Sequence, residues 1–434
     1  MPDDMNYQQR LLRVIPGGAH TYSRGFDQFP VNAPPILARG QGAYVFDAAG
    51  QRYLDYGMAL RAVNVGYAEP EINAAAIAQI ENGNNLTRPS LIELEAAELL
   101  VDLIGAVDMV KFTKNGSTSV SAAVKLARAF TGRTLVARCA EHPFFSYDDW
   151  FIGSTPLTRG IPAETIAQTK LFRYNDLPSL QALIDVHPDQ IACVVMEAAT
   201  TEPPRENFLH EVKALCRRHG IVFVLDEMIT GFRWDLRGAQ KYFDIEADLC
   251  TFGKAMANGF SVSCVAGKRE IMELGAIEFE GRERLFLLST THGAEMSGLG
   301  AFVATMRFME REAVVEHMWD YGRKLIALLE GLAVECGVAG QFKVGGYPCS
   351  PFFATLDAAG AVSLPLRTLF IQEMVKQGVL MPWIALSFRH GAEELALTEK
   401  AARHALRVYA QALDEGVDKY LEGPAIKPVF RKHN

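Results

Sequence analysis

The sequence predicts an α/β fold on a mostly parallel central sheet, and three observations predict it. Short apolar runs rich in β-branched residues, Ile191 to Met196 and Ile221 to Leu225, are too short for helices and read as strands buried on both faces. Amphipathic stretches alternate with them at Glu69 to Ile80, Leu91 to Ile104, Val120 to Phe130 and Phe208 to Arg218, the pattern of a sheet wound by helices. Both apolar runs end on acids, Glu197 in one and Asp226-Glu227 in the other, at the strand ends where open α/β sheets gather their ligands.

Bulk properties narrow the class. With 434 residues, 49% of them hydrophobic, the chain can bury a sizeable core. A formal charge of −8 argues against a nucleic-acid or anionic-membrane partner. The 7 cysteines are odd in number, scattered and never spaced C-x-x-C, so neither a zinc site nor a disulfide framework is expected and a reducing cytoplasm fits. The opening MPDDMNYQQR lacks the basic-then-apolar order of a signal peptide, and no apolar run reaches the roughly 18 residues that span a bilayer.

In chain order, Pro16 to Gly25 is turn-rich and irregular, and Gly42 to Tyr56 alternates and turns at Ala-Ala-Gly like a hairpin. Met109 to Lys114 reads as a strand, followed at once by Asn115-Gly116-Ser117-Thr118-Ser119 and a helix. A glycine and hydroxyls between strand and helix make an anion site, because N–H groups point outward at a helix N-terminus; the same hydroxyls also serve as ordinary caps. Lys254 sits in Thr-Phe-Gly-Lys, short of Asn258-Gly259. In a mostly apolar, Gly-flanked turn an amine held from water has a lowered pKa and becomes nucleophilic. A strand-end acid with such a lysine points to pyridoxal phosphate (PLP), whose aldehyde takes a lysine and whose pyridinium nitrogen wants a carboxylate. Each feature by itself also fits a helix cap and a solvated lysine. Gly298 to Val334 reads as a long amphipathic segment leading into the C-terminal lobe. Strand signals at Phe342 to Gly345 and Phe352 to Leu356, with helices at Leu364 to Lys376 and Leu395 to Leu413, make a small α+β lobe, and Gly423 to Asn434 reads as a surface tail. Three regions are expected: an arm with a small sheet (1–68), a large cofactor-binding domain (69–325) and a small C-terminal domain (326–434).

The stretch DEMITGFR, then GAQKYF, then ADLCTFGKAMANG, together with LARAFTGR at Leu126 to Arg133, resembles the class III PLP-dependent aminotransferases, closest to the glutamate-1-semialdehyde aminomutase branch. Asp226 and Lys254 stand 28 positions apart, the separation that branch shows. The resemblance implies the fold type I PLP-transferase architecture and a homodimer with active sites at its interface. It assigns Lys254 to the cofactor aldehyde, Asp226 to the ring nitrogen, Met228 to packing against the ring, and Asn115, Gly116 and Ser117 to the phosphate. It places Glu197 near cofactor and substrate. It gives Thr290, with Thr291 as the alternative, a reach across the interface to the neighbouring subunit's phosphate. Arg24 falls on the arm's carboxylate-binding arginine and Thr21 on a serine beside it; Glu202 stands where the aminomutase usually has an asparagine. Around Arg138 to Trp150 the family's ring-stacking aromatic falls at His142 or Phe144, with His142 chosen, while Phe144 and Phe145 otherwise read as core. Tyr67 stands where a histidine is common, and Arg389 is the counterpart, in the C-terminal lobe, of an arginine that other members use for a carboxylate.

These parts imply ping-pong transfer of an amino group from a small-molecule donor to a ketone or aldehyde acceptor, such as an oxo-sugar or another specialised metabolite. Lys254 would shuttle the proton, a kind of catalysis typically worth about 10²–10⁴-fold. Two other readings compete. One is a glutamate-1-semialdehyde aminomutase, with one molecule as donor and acceptor, which the departures at His142 and Glu202 disfavour. The other is a non-catalytic PLP-fold protein, which an intact Asp226 and Lys254 disfavour.

Overall fold

A computed structural model of the chain describes residues 6–434; residues 1–5, part of the stretch read above for a signal peptide, lie outside it. The chain divides into two compact units, one of Met1–Glu69 with Glu316–Val429 and one of Pro70–Val315 with Phe430–Asn434. The arm and the C-terminal lobe, expected as separate regions, thus share a unit.

The first unit opens with an antiparallel meander, β1 (Leu37–Gln41), β2 (Tyr44–Asp47) and β3 (Arg52–Asp55). The Ala-Ala-Gly turn closes as its sequence suggests. The Asp47 carboxylate accepts the Ala49 and Gln51 N–H groups, each at 2.9 Å, and Gly50 supplies a φ of +86°. After β3 comes a segment no propensity forecasts. Met58, Ala59, Leu60 and Arg61 have φ of 39°, 49°, 63° and 68°, a left-handed turn without a glycine. Each such residue costs about 1–2 kcal/mol, so the turn needs outside support.

The second unit holds the seven-stranded sheet: β4 (Met109–Thr113), β5 (Leu135–Cys139), β6 (Thr169–Phe172), β7 (Ile191–Met196), β8 (Val222–Asp226), β9 (Leu249–Phe252) and β10 (Ser263–Gly267), in spatial order β4-β10-β9-β8-β7-β5-β6. β5 to β9 run parallel, whereas β10 pairs antiparallel with both β9 and β4. The apolar runs are the central strands β7 and β8, with every residue buried. At about 1.5–3 kcal/mol per buried large aliphatic or aromatic side chain, these strands anchor the core. Helix Gly116–Thr131 packs on it through Val120, Ala123, Val124 and Ala127, small side chains that let the backbone approach closely.

The chain then returns to the first unit as the hairpin β11 (Phe342–Tyr347) and β12 (Ser350–Thr355), and β13 (Val379–Leu380) joins β3 in parallel. Two stretches read from the sequence gain detail. The segment from Gly298 to Val334 is two helices, Met296–Arg311 and Val314–Glu335, broken at Ala313 with φ +51°. The tail is pinned at its start: the Lys427 N–H donates to the Asp27 carbonyl at 2.9 Å, and the Ile426 N–H to the Thr368 hydroxyl at 2.9 Å.

Candidate active site

Asp226 ends β8 and is sealed from water, 2% exposed. Its Oδ1 accepts the Met228 N–H at 2.9 Å and the Thr251 hydroxyl at 3.0 Å. Thr251 faces Asp226 in the β8–β9 register, so the sheet itself supplies that donor. Burial pushes the carboxyl up to about 6, while the Lys254 charge, the Met228 N–H and the Thr251 hydroxyl pull it back. The neighbouring Glu227 has a different task. Its carboxylate accepts the Ala239 N–H at 2.6 Å, the Gln240 N–H at 3.2 Å and the Thr230 hydroxyl at 3.3 Å, fixing the start of the turn Ala239–Tyr242.

Lys254 begins a short 3-10 turn, Lys254–Ala257, directly after β9 and Gly253, with a φ of +42°. A left-handed lysine persists only where its surroundings over-determine it. Met228 ties this turn to the anion-site helix. A Cβ on Gly116 would stand 2.8 Å from the Met228 sulfur, and one on Gly253 2.6 Å from it. The thioether therefore passes between two glycines, one opening the helix and one preceding the lysine. Neither glycine can gain a side chain without displacing it.

At the helix end, Asn115 Oδ1 accepts the Thr118 N–H at 2.9 Å and its hydroxyl at 3.0 Å, so this side chain serves as the cap. Ser117 is buried, and its hydroxyl oxygen accepts the Tyr147 N–H at 3.1 Å, leaving its own proton to donate.

His142 corrects an expectation. It is 1% exposed, its Nδ1 accepts the Glu197 N–H at 3.0 Å, and the Tyr174 and Phe145 rings lie 5.2 Å and 6.0 Å away. Burial lowers its pKa to about 3, so the imidazole is neutral, and so enclosed a ring presents no open face to a planar ligand. Phe145 is core, whereas Phe144 is 46% exposed and stands edge-on to Phe151 at 5.5 Å. Glu197 is buried just past β7. Glu202 is exposed and binds Arg205 at 2.8 Å and Asn175 at 3.1 Å, the arrangement of a solvated surface acid. Thr290 and Thr291 lie exposed in an irregular segment, and Asn85 donates to the Thr291 carbonyl at 3.1 Å.

In the first unit, Thr21 precedes the short turn Tyr22–Arg24 that carries Arg24. Arg24 lines a cavity of about 1000 Å³ together with Phe29, Asp55, Leu60, Tyr67 and Trp383. Arg389 is committed elsewhere, its guanidinium 2.5 Å from Glu69. Local pattern does not reveal that Thr251 donates to Asp226 or that Gly253 leaves room for Met228, because these depend on strand register and on the path of the Met228 side chain. The sequence reading missed Asp55, whose signal was the Tyr67 departure from the family pattern.

A mostly parallel seven-stranded sheet, with a buried acid ending one central strand and a lysine in a strained turn just past the next, defines a PLP-dependent transferase of fold type I. Residues 28–385 match the family described as Aminotransferase class-III, and the chain belongs to it. It is 30% identical over 412 residues to a 3-aminobutyryl-CoA aminotransferase of Cloacimonas acidaminovorans (strain Evry), covering 93% of this chain and 96% of that one. The FumI protein of Sphingopyxis sp. MTA144, solved in its PLP internal aldimine form, superposes with a TM-score of 0.86 at 27% identity, over 94% of this chain and 97% of that chain. A glutamate-1-semialdehyde aminomutase of Pseudomonas aeruginosa PAO1 gives a TM-score of 0.81 at 22% identity, over 93% and 94% of the two chains, a likeness of fold alone. The protein is thus a PLP-dependent aminotransferase. The residues present fit the cofactor: a buried carboxylate for a ring cation, an amine for an aldehyde, and the end of a 16-residue helix for a phosphate.

Proposed function

We propose that the chain moves an amino group from a carboxylate-bearing small amine to a ketone or aldehyde, with Lys254 and Asp226 as the catalytic pair. The observation that carries this reading is the buried Asp226 carboxylate, on which Lys254 is the foremost charge acting. Bound PLP supplies an electron sink for carbanion charge. Asp226 holds a negative charge where the ring nitrogen needs a proton, and Thr251 and the Met228 N–H fix its oxygen. Lys254 would hold the cofactor aldehyde, and its amine, when neutral, would move the proton at the substrate carbon. Gly116 and Ser117 would hold the phosphate at the helix N-terminus that the Asn115 side chain caps, and Met228 would pack against the ring. Phe144, rather than His142, offers the aromatic face in its segment; Glu197 supports that segment through the His142 imidazole.

Arg24 receives the substrate's acid, for which a guanidinium is the natural bidentate partner, with Thr21 ahead of its turn. Thr290 completes the phosphate site of a second copy of the chain, so the working form is a homodimer. A cytoplasmic setting belongs to this reading, and the seven free cysteines suit its reducing conditions; no helix among the described residues is long and apolar enough to cross a membrane.

The test is borohydride reduction of the PLP-loaded protein followed by peptide mass analysis. The cofactor mass should lie on the Lys254 peptide, and Lys254→Ala should lose both the absorbance band and turnover by more than about 10³-fold. Turnover retained in that variant would reject the assignment. Donor screening with alanine, glutamate and 3-aminobutyryl-CoA, the last because of the relative from Cloacimonas acidaminovorans, decides the reaction. An external donor should be required, and production of 5-aminolevulinate from glutamate-1-semialdehyde alone would decide for the aminomutase.

A further inference from the structure

Within the first unit, the left-handed turn Met58–Arg61 is held by a set of bonds that converge on one carboxylate. Asp55 Oδ1 accepts the Gly57 N–H at 2.7 Å; Oδ2 accepts the Met58 N–H at 3.0 Å and the Tyr67 hydroxyl at 2.7 Å. Gly57 has no room for a side chain, since a Cβ there would stand 2.8 Å from Asp55 Oδ1. On the other side, the Trp383 indole N–H donates to the Gly57 carbonyl at 3.1 Å, and Arg61 donates to the Ser350 hydroxyl at 2.5 Å. A glycine-free turn of this hand survives only where such contacts outweigh its strain, and such turns gather at ligand sites.

This one does the same. Ala59 and Leu60, at its centre, line the Arg24 cavity, and so do Gly57, Asp55, Tyr67 and Trp383, the residues that hold it. The Arg24 charge also reaches the Tyr67 phenol. A joint that merely connected β3 to the next element would have no reason to form a cavity wall, and a glycine would serve it better.

We infer that Asp55 and Tyr67 are positioning residues for substrate selection: by clamping the strained turn, they fix the wall of the Arg24 cavity against which the body of an acid-bearing substrate packs. This rests on the reading of Arg24 as the partner of the substrate's acid. A cavity of about 1000 Å³ lies at the top of the range of ligand pockets, so the acids it selects among include ones with a sizeable apolar body. The tyrosine hydroxyl supplies the clamp with a donor that does not titrate near neutrality, since burial and Asp55 both raise its pKa.

The experiment uses the PLP-loaded protein and two carboxylates that carry no amine, butyrate and 4-phenylbutyrate, with affinities measured by calorimetry. Tyr67→Phe removes only the hydroxyl. It should change the ratio of the two affinities by about fivefold or more while leaving the cofactor absorbance band unaltered. Ala59→Gly in that background should restore most of the ratio, because glycine holds a left-handed φ without a clamp. A ratio unchanged in Tyr67→Phe overturns the inference, and so does a change accompanied by loss of the cofactor band, which marks a general structural defect. Binding of neither probe to the wild-type protein overturns it as well. Arg24→Ala separates the two readings. If that variant binds both acids as the wild type does, the assignment of Arg24 fails, while the Tyr67→Phe ratio still judges the clamp.

Discussion

Asp226 ends β8 in the second unit and Asp55 ends β3 in the first. Each is a buried carboxylate that accepts backbone N–H and hydroxyl donors, and in each burial is the main cause that raises the pKa. Their partners part them. Asp55 has two N–H groups and a tyrosine hydroxyl, all neutral, and it closes a turn. Asp226 has one N–H and one hydroxyl on a single oxygen, and the charge acting on it is that of Lys254. A carboxylate saturated by neutral donors serves the backbone. One left with an oxygen to spare beside a cation can serve a bound group, because a second positive charge is what it still lacks. Glu227, adjacent to Asp226 in sequence, falls with Asp55, since its donors are also backbone and hydroxyl.

Alanine at each position should break the comparison in opposite directions. Asp226→Ala should lower kcat by roughly 10²–10⁴-fold, in line with the 3–5 kcal/mol lost when a buried charge pair loses one partner. Its thermal midpoint without cofactor should fall less than that of Asp55→Ala, because only one backbone N–H loses its acceptor. Asp55→Ala should leave the cofactor band intact but destabilise the fold by about 2–4 kcal/mol, since two backbone N–H groups lose their acceptor. Parallel measurement of kcat and thermal unfolding checks both. Equal stability losses in the two variants would show that Asp226 is as structural as Asp55.

A smaller effect sharpens the same contrast through pH. In cofactor-free protein, burial holds Asp226 at about 6, above its ordinary value of 3.8. The folded state then keeps a proton that the unfolded chain has released. Stability from this group is fully present below 3.8 and is lost as pH rises through about 6. Unfolding of the wild type and of Asp226→Asn, compared point by point across that window, should show the two close together at the acid end, where both side chains are neutral, and the wild type losing stability relative to the variant as pH rises. The comparison cancels Glu227, which burial raises to about 7. Loading PLP should abolish the trend, because a ring cation keeps the carboxylate ionised.

Much of this was legible in the residues, and the limits have physical causes. The central strands read directly, because an apolar run flanked by turn residues has few other options once buried on both faces. Asp226 and Lys254 stood out as candidates because they lie within the stretch that resembles the class III aminotransferases; each by itself also fits a cap or a solvated lysine. The reversed direction of β10 was not legible, since local pattern says nothing of strand polarity. Nor was the support of Asp226 by Thr251, which exists only once β8 and β9 are in register. The turn Met58–Arg61 runs against every local preference, so only tertiary contacts specify it. His142 illustrates another limit: alignment offered a place for a stacking ring, but burial depends on neighbours such as Tyr174, which are distant in sequence.

Glu202 gives the smallest expected effect and tests the contrast from outside. Its side chain is 49% exposed, and its Oε1 accepts Arg205 at 2.8 Å and Asn175 at 3.1 Å. An exposed pair of this kind is worth about 0–1 kcal/mol. Glu202→Gln keeps the oxygen that accepts from Asn175 and removes only the charge, so kcat/KM should stay within about twofold and the thermal midpoint within about a degree. Were Glu202 instead part of the substrate site, losing its charge would move KM by tenfold or more for an amine-bearing donor, since the carboxylate would have met the incoming ammonium. Steady-state kinetics with two donors of different charge separates these outcomes. A surface acid moves neither KM, whereas a recognition acid moves one more than the other.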